Sequence, residues 1–369
     1  MKRLLCIVGS MDAGGAETFL MKIYRQLDKT KYQMDFAVAT SKKGYYDDEI
    51  LAKGGKIYLI TPKSNGIIKN FSSIKRLVRE KSYQYVLRTS QHSLSALELL
   101  AAKLGGAKVR VFRSSNSNTT SGSKKQMLLH KACIFMPALF ANVKIAPSTE
   151  AAEFMFGKDC IKKGKAFLLH NAIDLDLYKF DKEQRAKYRN EFNIENKLVI
   201  GHIGRFNQQK NHKFLIDVFD EVLKRINNAV LLLIGKGELE EEIKQQINKL
   251  GISDKVIFTG VRSDIPQLLS AMDVFVMPSF YEGMPNTIIE SQATGLSCVI
   301  SDTITKEANI TGLVRYISLN DTAQTWAEEV GKQIQIPRKY IYDDFISNKY
   351  DIQCVVDKFV ELIFETEDF

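Results

Sequence analysis

Thirteen short runs rich in Val, Ile, Leu and Phe are spaced along the 369-residue chain, most of them separated by longer amphipathic stretches. That alternation restricts the fold more than any other feature. A strand joined to the next by a helix pairs with it in parallel, through a right-handed crossover, and the resulting sheet is covered on both faces. The first seven runs are Leu4–Val8, Met34–Ala39, Lys56–Ile60, Tyr85–Thr89, Val109–Phe112, Val143–Ala146 and Ala166–Leu169. The next six are Leu198–Ile203, Ala229–Ile234, Val256–Thr259, Val274–Met277, Ser297–Ile300 and Val314–Ile317. Helical spacing lies between most of them, as in Phe214–Arg225 and Glu240–Leu250. At this length one core does not suffice. The expected class is therefore α/β, with two Rossmann-like, doubly wound domains. Residues 1–170 form the first and 197–349 the second, and the polar stretch 171–196 reads as the linker. Ligands of such sheets bind beyond the C-terminal strand ends, so the residues that follow each strand carry the functional reading.

Composition removes several function classes. Apolar content of 45% and charged content of 26% are those of a soluble globular protein. No run approaches about 18 apolar residues, so no membrane span is expected. Residues Met1–Val8 start basic, but the apolar run stops at Gly9, which reads as a strand and not a signal peptide. Cys6, Cys133, Cys160, Cys298 and Cys354 are scattered with no Cys-x-x-Cys pair, and the five histidines lack metal-ligand spacing. A reducing cytoplasm is expected, without a disulfide frame or a zinc site. The net charge of +9 is uneven: residues 1–170 hold 29 Lys and Arg against 12 Asp and Glu, the remainder 23 against 31. A first half at +17 faces something anionic: nucleic acid, an acidic membrane surface or a phosphate-bearing acceptor. Nucleic acid is set aside, because no recognised motif is present and the aromatic residues are not interleaved with the basic ones.

Several strand ends carry residues suited to a phosphate-bearing ligand. The first strand runs into Gly9-Ser-Met-Asp-Ala-Gly14-Gly15-Ala-Glu17. Glycines at such a turn let backbone approach a phosphate, although the spacing is not Gly-x-Gly-x-x-Gly and a tight turn without a ligand also fits. The eighth run delivers Gly204, Arg205 and, after four residues, Lys210. Arg can clamp phosphate oxygens in bidentate fashion and Lys adds a point charge. The ninth ends in Gly235-Lys-Gly237, and the tenth is followed by Val261 and Arg262, whose backbone could meet a base. After the eleventh comes Tyr281-Glu-Gly-Met-Pro-Asn-Thr-Ile-Ile-Glu290. Its Gly283–Pro285 turn suits a helix starting at Pro285, with Glu282 just before that start and Glu290 about one turn inside. Four successive strand ends thus describe a nucleotide-diphosphate pocket. Asp174-Leu-Asp176 has a metal-binding look but lies in the linker and is discounted, and Asp343-Asp344 reads as a helix cap or surface pair. The Ser- and Asn-rich stretch Arg113–Lys125 reads as a mobile loop. The apolar residues of Leu128–Phe140 read first as core, with membrane contact as the alternative, and Pro137 is expected to kink or end that helix.

Together, Gly204-Arg205-(x4)-Lys210, Gly235-x-Gly237 and Glu282-(x7)-Glu290 resemble the signature of glycosyltransferase family 4, the glycosyltransferase group 1 enzymes of GT-B fold. Met11-Asp-Ala-Gly14-Gly15-Ala-Glu-Thr18, Gly201–Phe206 and Asn211-His212 resemble its EpsF-like capsular and exopolysaccharide branch. The resemblance covers Leu4 to about Trp326. It implies two domains facing a central cleft, with a final helix (about 350–369) returning to the first, and a retaining, metal-independent sugar transfer without a cofactor. The implied donor is a nucleotide-diphosphate sugar, with uridine as the favoured base. The implied acceptor is a hydroxyl of a lipid-diphosphate-linked or other saccharide, in capsule, exopolysaccharide or O-antigen synthesis. The enzyme would be cytoplasmic, in peripheral contact with the anionic inner leaflet. Arg205, Lys210 and Glu282 would be catalytic. The donor would be held by Gly14, Gly15, Arg205, Lys210, Gly235, Gly237, Val261, Arg262, Glu282, Gly283, Met284, Pro285, Asn286, Thr287 and Glu290. Glu290 would take the ribose hydroxyls and Glu282 a sugar hydroxyl. Many relatives have His-Ser-His-Asn after the fifth strand, where this chain has Arg113-Ser114-Ser115-Asn116. The acceptor-side candidates are accordingly His92, Ser115 and Asn116. A sugar-nucleotide epimerase of the same fold is the alternative, and it would isomerise the donor without an acceptor.

Overall fold

The computed structural model describes residues 1–115 and 124–365, so Asn116 and most of the Ser- and Asn-rich stretch lie outside the described residues. The chain divides into two compact units, Met1–Ala172 with the stretch from Lys349 onward, and Ile173–Asn348.

The first unit holds β1 (Lys2–Ile7), β2 (Tyr32–Val38), β3 (Ile57–Leu59), β4 (Tyr85–Ser90), β5 (Val109–Ser114), β6 (Val143–Ala146) and β7 (Phe167–Leu168). They form one sheet in the order β3-β2-β1-β4-β5-β6-β7, with all neighbouring strands parallel. Leu4 and Cys6 of β1 share a core with Phe36, Leu87 and Val111, whereas Leu5 and Ile7 join Ala37, Val86 and Phe112 in another. Both faces of these central strands are thus dry, which is why they read as mainly apolar runs. The chain comes back to this unit through helix Ile352–Val360 and a π-helical turn, Glu361–Glu365. Phe364 lies 4.6 Å from the Tyr32 ring and 5.2 Å from the Tyr85 ring, and its carbonyl accepts from Lys2 Nζ.

The second unit holds β8 (Leu198–Ile203), β9 (Ala229–Ile234), β10 (Val256–Gly260), β11 (Val274–Met277), β12 (Cys298–Ser301) and β13 (Val314–Ile317), in the parallel order β10-β9-β8-β11-β12-β13. Ile200, Leu231, Leu233, Val274 and Val276 pack with Phe219 and Trp326 from the flanking helices. The order reverses between β1 and β4 in the first sheet and between β8 and β11 in the second. These are the two switch points at which doubly wound sheets open a crevice.

Two expectations are corrected. The polar stretch 171–196 is not a free linker, because from Ile173 it belongs to the second unit and contains helix Lys182–Glu191. Its charges are used internally: Arg185 and Arg189 each meet Asp273 at 2.5 Å, and Arg185 Nη1 also donates to the carbonyls of Ser270 and Met272. Nor is Leu128–Phe140 core throughout: Met136 and Phe140 pack against the first unit's core, and other long apolar side chains face outward. The stretch breaks into helices Lys124–Ala132 and Met136–Phe140, with Pro137 in the first turn of the second helix. Pro suits a first turn, where its missing N–H has no partner to lose. Leu128 (70%), Phe135 (54%) and Leu139 (60%) are exposed, and the buried positions are His130, Cys133 and Pro137.

Candidate functional site

In the second unit, the loops that follow β8, β9 and β11 are tied together beside the switch point. Gly204 N–H donates to Ile234 O at 3.0 Å, Phe206 N–H to Lys236 O at 3.1 Å, and Leu239 N–H to Phe206 O at 3.0 Å. Two glycines permit this approach. A Cβ on Gly235 would stand 2.1 Å from Gly204 O, and one on Gly237 would stand 2.3 Å from Phe206 O. Gly235 also has φ of +139°, a conformation few other residues adopt. Between β8 and β11 the clasp is polar. Phe280 N–H donates to Gln209 O at 2.9 Å, Gln209 Nε2 to Tyr281 O at 2.9 Å, and Asn211 Nδ2 to Pro278 O at 3.1 Å.

This scaffold brings Lys210 and Glu282 into contact. Lys210 Nζ donates to Glu282 Oε1 at 2.8 Å, and the two side chains are only 16% and 10% exposed. Arg205 stands differently: it reaches Glu238 at 3.3 Å, with side chains 72% and 57% exposed. Below the loop lie His202 and His212, ring centroids 4.7 Å apart. Burial holds His202 well below the ordinary histidine range, and burial with the nearby Lys210 charge lowers His212 to about 4. Both therefore stay neutral, which spares Lys210 a like charge.

Helix Asn286–Ala293 begins after Pro285, whose side chain cannot cap the first amides. The structure makes Pro285 the N-cap, so the helix starts at Asn286, one residue later than expected. Asn286 and Glu290 are four apart on this helix and so share a face. Glu290 is 8% exposed, and Asn286 Oδ1 is buried without a hydrogen-bond partner. Gly283, Met284 and Thr287 flank the same start. Val261 is exposed, and the Arg262 side chain is held by Asp264 in a bidentate pair at 2.8 and 2.5 Å, which leaves its backbone for the role expected of it. A separate cavity of about 520 Å³, walled by Asp176, Phe180, Pro266 and Gln267 among others, contains none of the expected residues. Asp174 of the Asp-x-Asp pair accepts from Leu177 N–H. Among the described residues no three His, Cys, Asp or Glu side chains are grouped as a metal site requires.

In the first unit, Gly14 caps helix Gly15–Gln26 without a side chain, and Glu17 Oε2 folds back to 2.4 Å from where a Gly14 Cβ would sit. Burial pushes the Glu17 carboxyl up, against the opposing charges of Arg88 and Arg113. Arg113 is 2% exposed, bonded through Nη2 to Asn171 Oδ1 at 2.8 Å and stacked 3.8 Å over Phe19. Its burial lowers the guanidinium to about 9. His92 has both ring nitrogens engaged: Nδ1 accepts from Leu94 N–H at 3.1 Å, which leaves Nε2–H to donate to Gln126 O at 3.1 Å. Ser115 N–H donates to Ser90 O. Reading by motif overlooked Asn207, whose Oδ1 accepts from Lys210 N–H, and the Gln209 and Asn211 clasps. It also overlooked the buried Arg113 guanidinium, whose charge and that of Glu17 act on each other.

The family described as Glycosyl transferases group 1 matches residues 197–335, which contain all of the second unit's site residues. The chain is 32% identical over 95% of its length, and 94% of the relative's, to EpsF of Bacillus subtilis (strain 168). It is 27% identical over 64% of its length, and 62% of the relative's, to the Escherichia coli UDP-Gal:alpha-D-GlcNAc-diphosphoundecaprenol alpha-1,3-galactosyltransferase. Among solved structures, Anabaena HepE in complex with UDP-glucose superposes with a TM-score of 0.77 at 20% identity, over 98% of this chain and 99% of that one.

Proposed function

The chain belongs to the group 1 glycosyl transferases, GT-B enzymes of family 4, and we propose that it moves a sugar from a UDP-sugar to a hydroxyl of a lipid-diphosphate-linked saccharide, with retention and without a metal, in the assembly of a bacterial capsule, exopolysaccharide or O-antigen. The observation that carries this reading is the convergence of Arg205, Lys210, Glu282 and an uncapped helix start at one switch point. Breaking the anomeric C–O bond leaves negative charge on the diphosphate. Arg205, Lys210 and the amides after Pro285 would stabilise it, each such group contributing about 10²–10³ in rate. Glu282 would accept from a sugar hydroxyl and Glu290 from the ribose. No carboxylate is assigned as a nucleophile. The acceptor would attack from the leaving-group face and pass its proton to the departing phosphate.

A UDP-linked donor is favoured by the name of the E. coli relative and by the ligand of the HepE structure, and that relative's diphosphoundecaprenol acceptor favours a lipid-linked acceptor here. A peripheral place on the inner face of an anionic membrane is supported by the +17 of residues 1–170 and by the exposed Leu128, Phe135 and Leu139. No described helix is long and apolar enough to cross a membrane. The test is a panel of sugar nucleotides, scored for transfer product and for hydrolysis, with wild type and Arg205→Ala. A roughly hundredfold or greater loss in the variant supports the reading. Turnover within twofold of wild type, or isomerised donor as the sole product, would refute it.

A further inference from the structure

We infer that the Lys210–Glu282 ion pair makes this site select a whole nucleotide sugar over the bare nucleotide. The inference rests on the donor assignment above and concerns how the donor exchanges with its own product. Two cations serve the diphosphate, and their states differ. Arg205 is largely exposed and holds Glu238 loosely, so it is available to a phosphate with little competition. Lys210 is mostly buried and already bound to Glu282 at 2.8 Å. A phosphate can take Lys210 fully only by leaving a carboxylate that is 10% exposed without its cation. Stranding one member of a buried pair is far more costly than loosening a surface one.

The surroundings close the other ways out. Phe280 N–H on Gln209 O, Gln209 Nε2 on Tyr281 O and Asn211 Nδ2 on Pro278 O hold the two loops on either side of the pair, so the loops do not simply part. His202 and His212 lie beneath, buried and neutral, and neither supplies Glu282 with a replacement cation. What can satisfy Glu282 is a hydrogen-bond donor carried by the ligand. A sugar joined to the diphosphate brings hydroxyls along with the phosphates, so one ligand takes Lys210 and compensates Glu282 together. The nucleotide left after transfer brings phosphates alone. Once the sugar has gone, Glu282 recaptures Lys210 and the product is held chiefly by Arg205 and the helix start. The same pair thus gives donor preference on entry and weakens the hold on product afterwards.

The experiment is calorimetric titration of UDP and UDP-glucose into wild type, Glu282→Gln and Glu282→Asp. Glu282→Gln keeps the shape but removes the charge that competes for Lys210. It is expected to bind UDP about tenfold more tightly than wild type and UDP-glucose no more tightly, so that the ratio of the two affinities falls. Glu282→Asp, one methylene shorter, stretches the pair and is expected to move UDP in the same direction by about threefold. In the double variant with Lys210→Met, the tightening should vanish, since nothing remains to be released. A purely structural role for Glu282 would weaken both ligands together. UDP affinity that is unchanged or lower in both single variants overturns the inference. If wild type binds both ligands and Arg205→Ala weakens both while Glu282→Gln fails to tighten UDP, the donor assignment stands and the selection falls. If folded wild type binds neither ligand, the assignment fails and takes the inference with it.

Discussion

Gly235→Ala adds one methyl group where the loops after β8 and β9 lie closest. The new carbon would start 2.1 Å from Gly204 O and 3.0 Å from Gly204 C, against ordinary contacts of 3.4–4 Å. Relief requires the Gly204–Arg205 peptide to move by about 1 Å, because carbon and oxygen cannot remain so far inside contact. Residue 235 cannot rotate away cheaply, since its N–H donates to Gly260 O at 2.9 Å and its φ of +139° is already a strained place for alanine. That strain is typically about 1–3 kcal/mol. A shift of this size in a charge-stabilising group lowers turnover by about 10²-fold, or roughly 2.7 kcal/mol of transition-state stabilisation. The assay is kcat/KM for the donor that wild type uses, with a thermal melt on each protein. Gly312→Ala is the control: its φ of +78° carries a backbone penalty, but nothing lies within 4 Å of the added carbon. Both variants are expected to melt earlier, and only Gly235→Ala to lose turnover. If Gly235→Ala stays within about twofold of wild type in kcat/KM, the close loop packing does not position Arg205, and the reasoning fails.

Acid should destabilise the second unit through His212. Its folded pKa of about 4 lies below the ordinary 6.5, so the unfolded chain takes up the proton first, and stability present above pH 6.5 is lost as pH falls toward 4. Between pH 7 and pH 5 this amounts to about 2 kcal/mol. His212→Phe should flatten the pH dependence of urea unfolding by that amount, and an unchanged acid slope would count against the assignment. On anionic vesicles, Leu128→Ser with Phe135→Ser should reduce co-sedimentation several-fold, and binding by wild type should weaken with added salt. Wild-type binding that ignores both changes would rule out this face as the contact.

Most strands were legible because parallel sheets bury both faces, so apolar residues dominate each run even where a charge interrupts it, as Asp35 does in β2 and Arg110 in β5. β7 is only two residues long, yet its run was visible because Ala166 and Leu169 beside it are buried too. The strand-end residues of the second unit were legible for a different reason, since phosphate chemistry uses few residue types at fixed spacings. The stretch 173–196 was misread because a polar segment looks alike whether its charges face water or, as with Arg185 and Arg189, a half-buried aspartate and helix-end carbonyls. In Leu128–Phe140 only Met136 and Phe140 pack on the core, and Leu128, Phe135 and Leu139 face outward, because apolar content alone does not say which side of a short helix is covered. His92 was chosen for its position, and its engagement by Leu94 and Gln126 depends on a fold-specific neighbour 34 residues away.

The return of residues 352–364 to the first unit sets an order of events during synthesis. The second unit is continuous, from Ile173 to Asn348, and every strand of its sheet is translated before Ile352. The first unit begins earlier but lacks Val355, Phe359 and Phe364 until then, so the side of its sheet that holds Tyr32 and Tyr85 waits for the segment made last. The half of the protein made first is therefore the half completed last. A nascent chain stalled anywhere between 173 and 350 would expose an unfinished apolar surface of the kind that chaperones recognise.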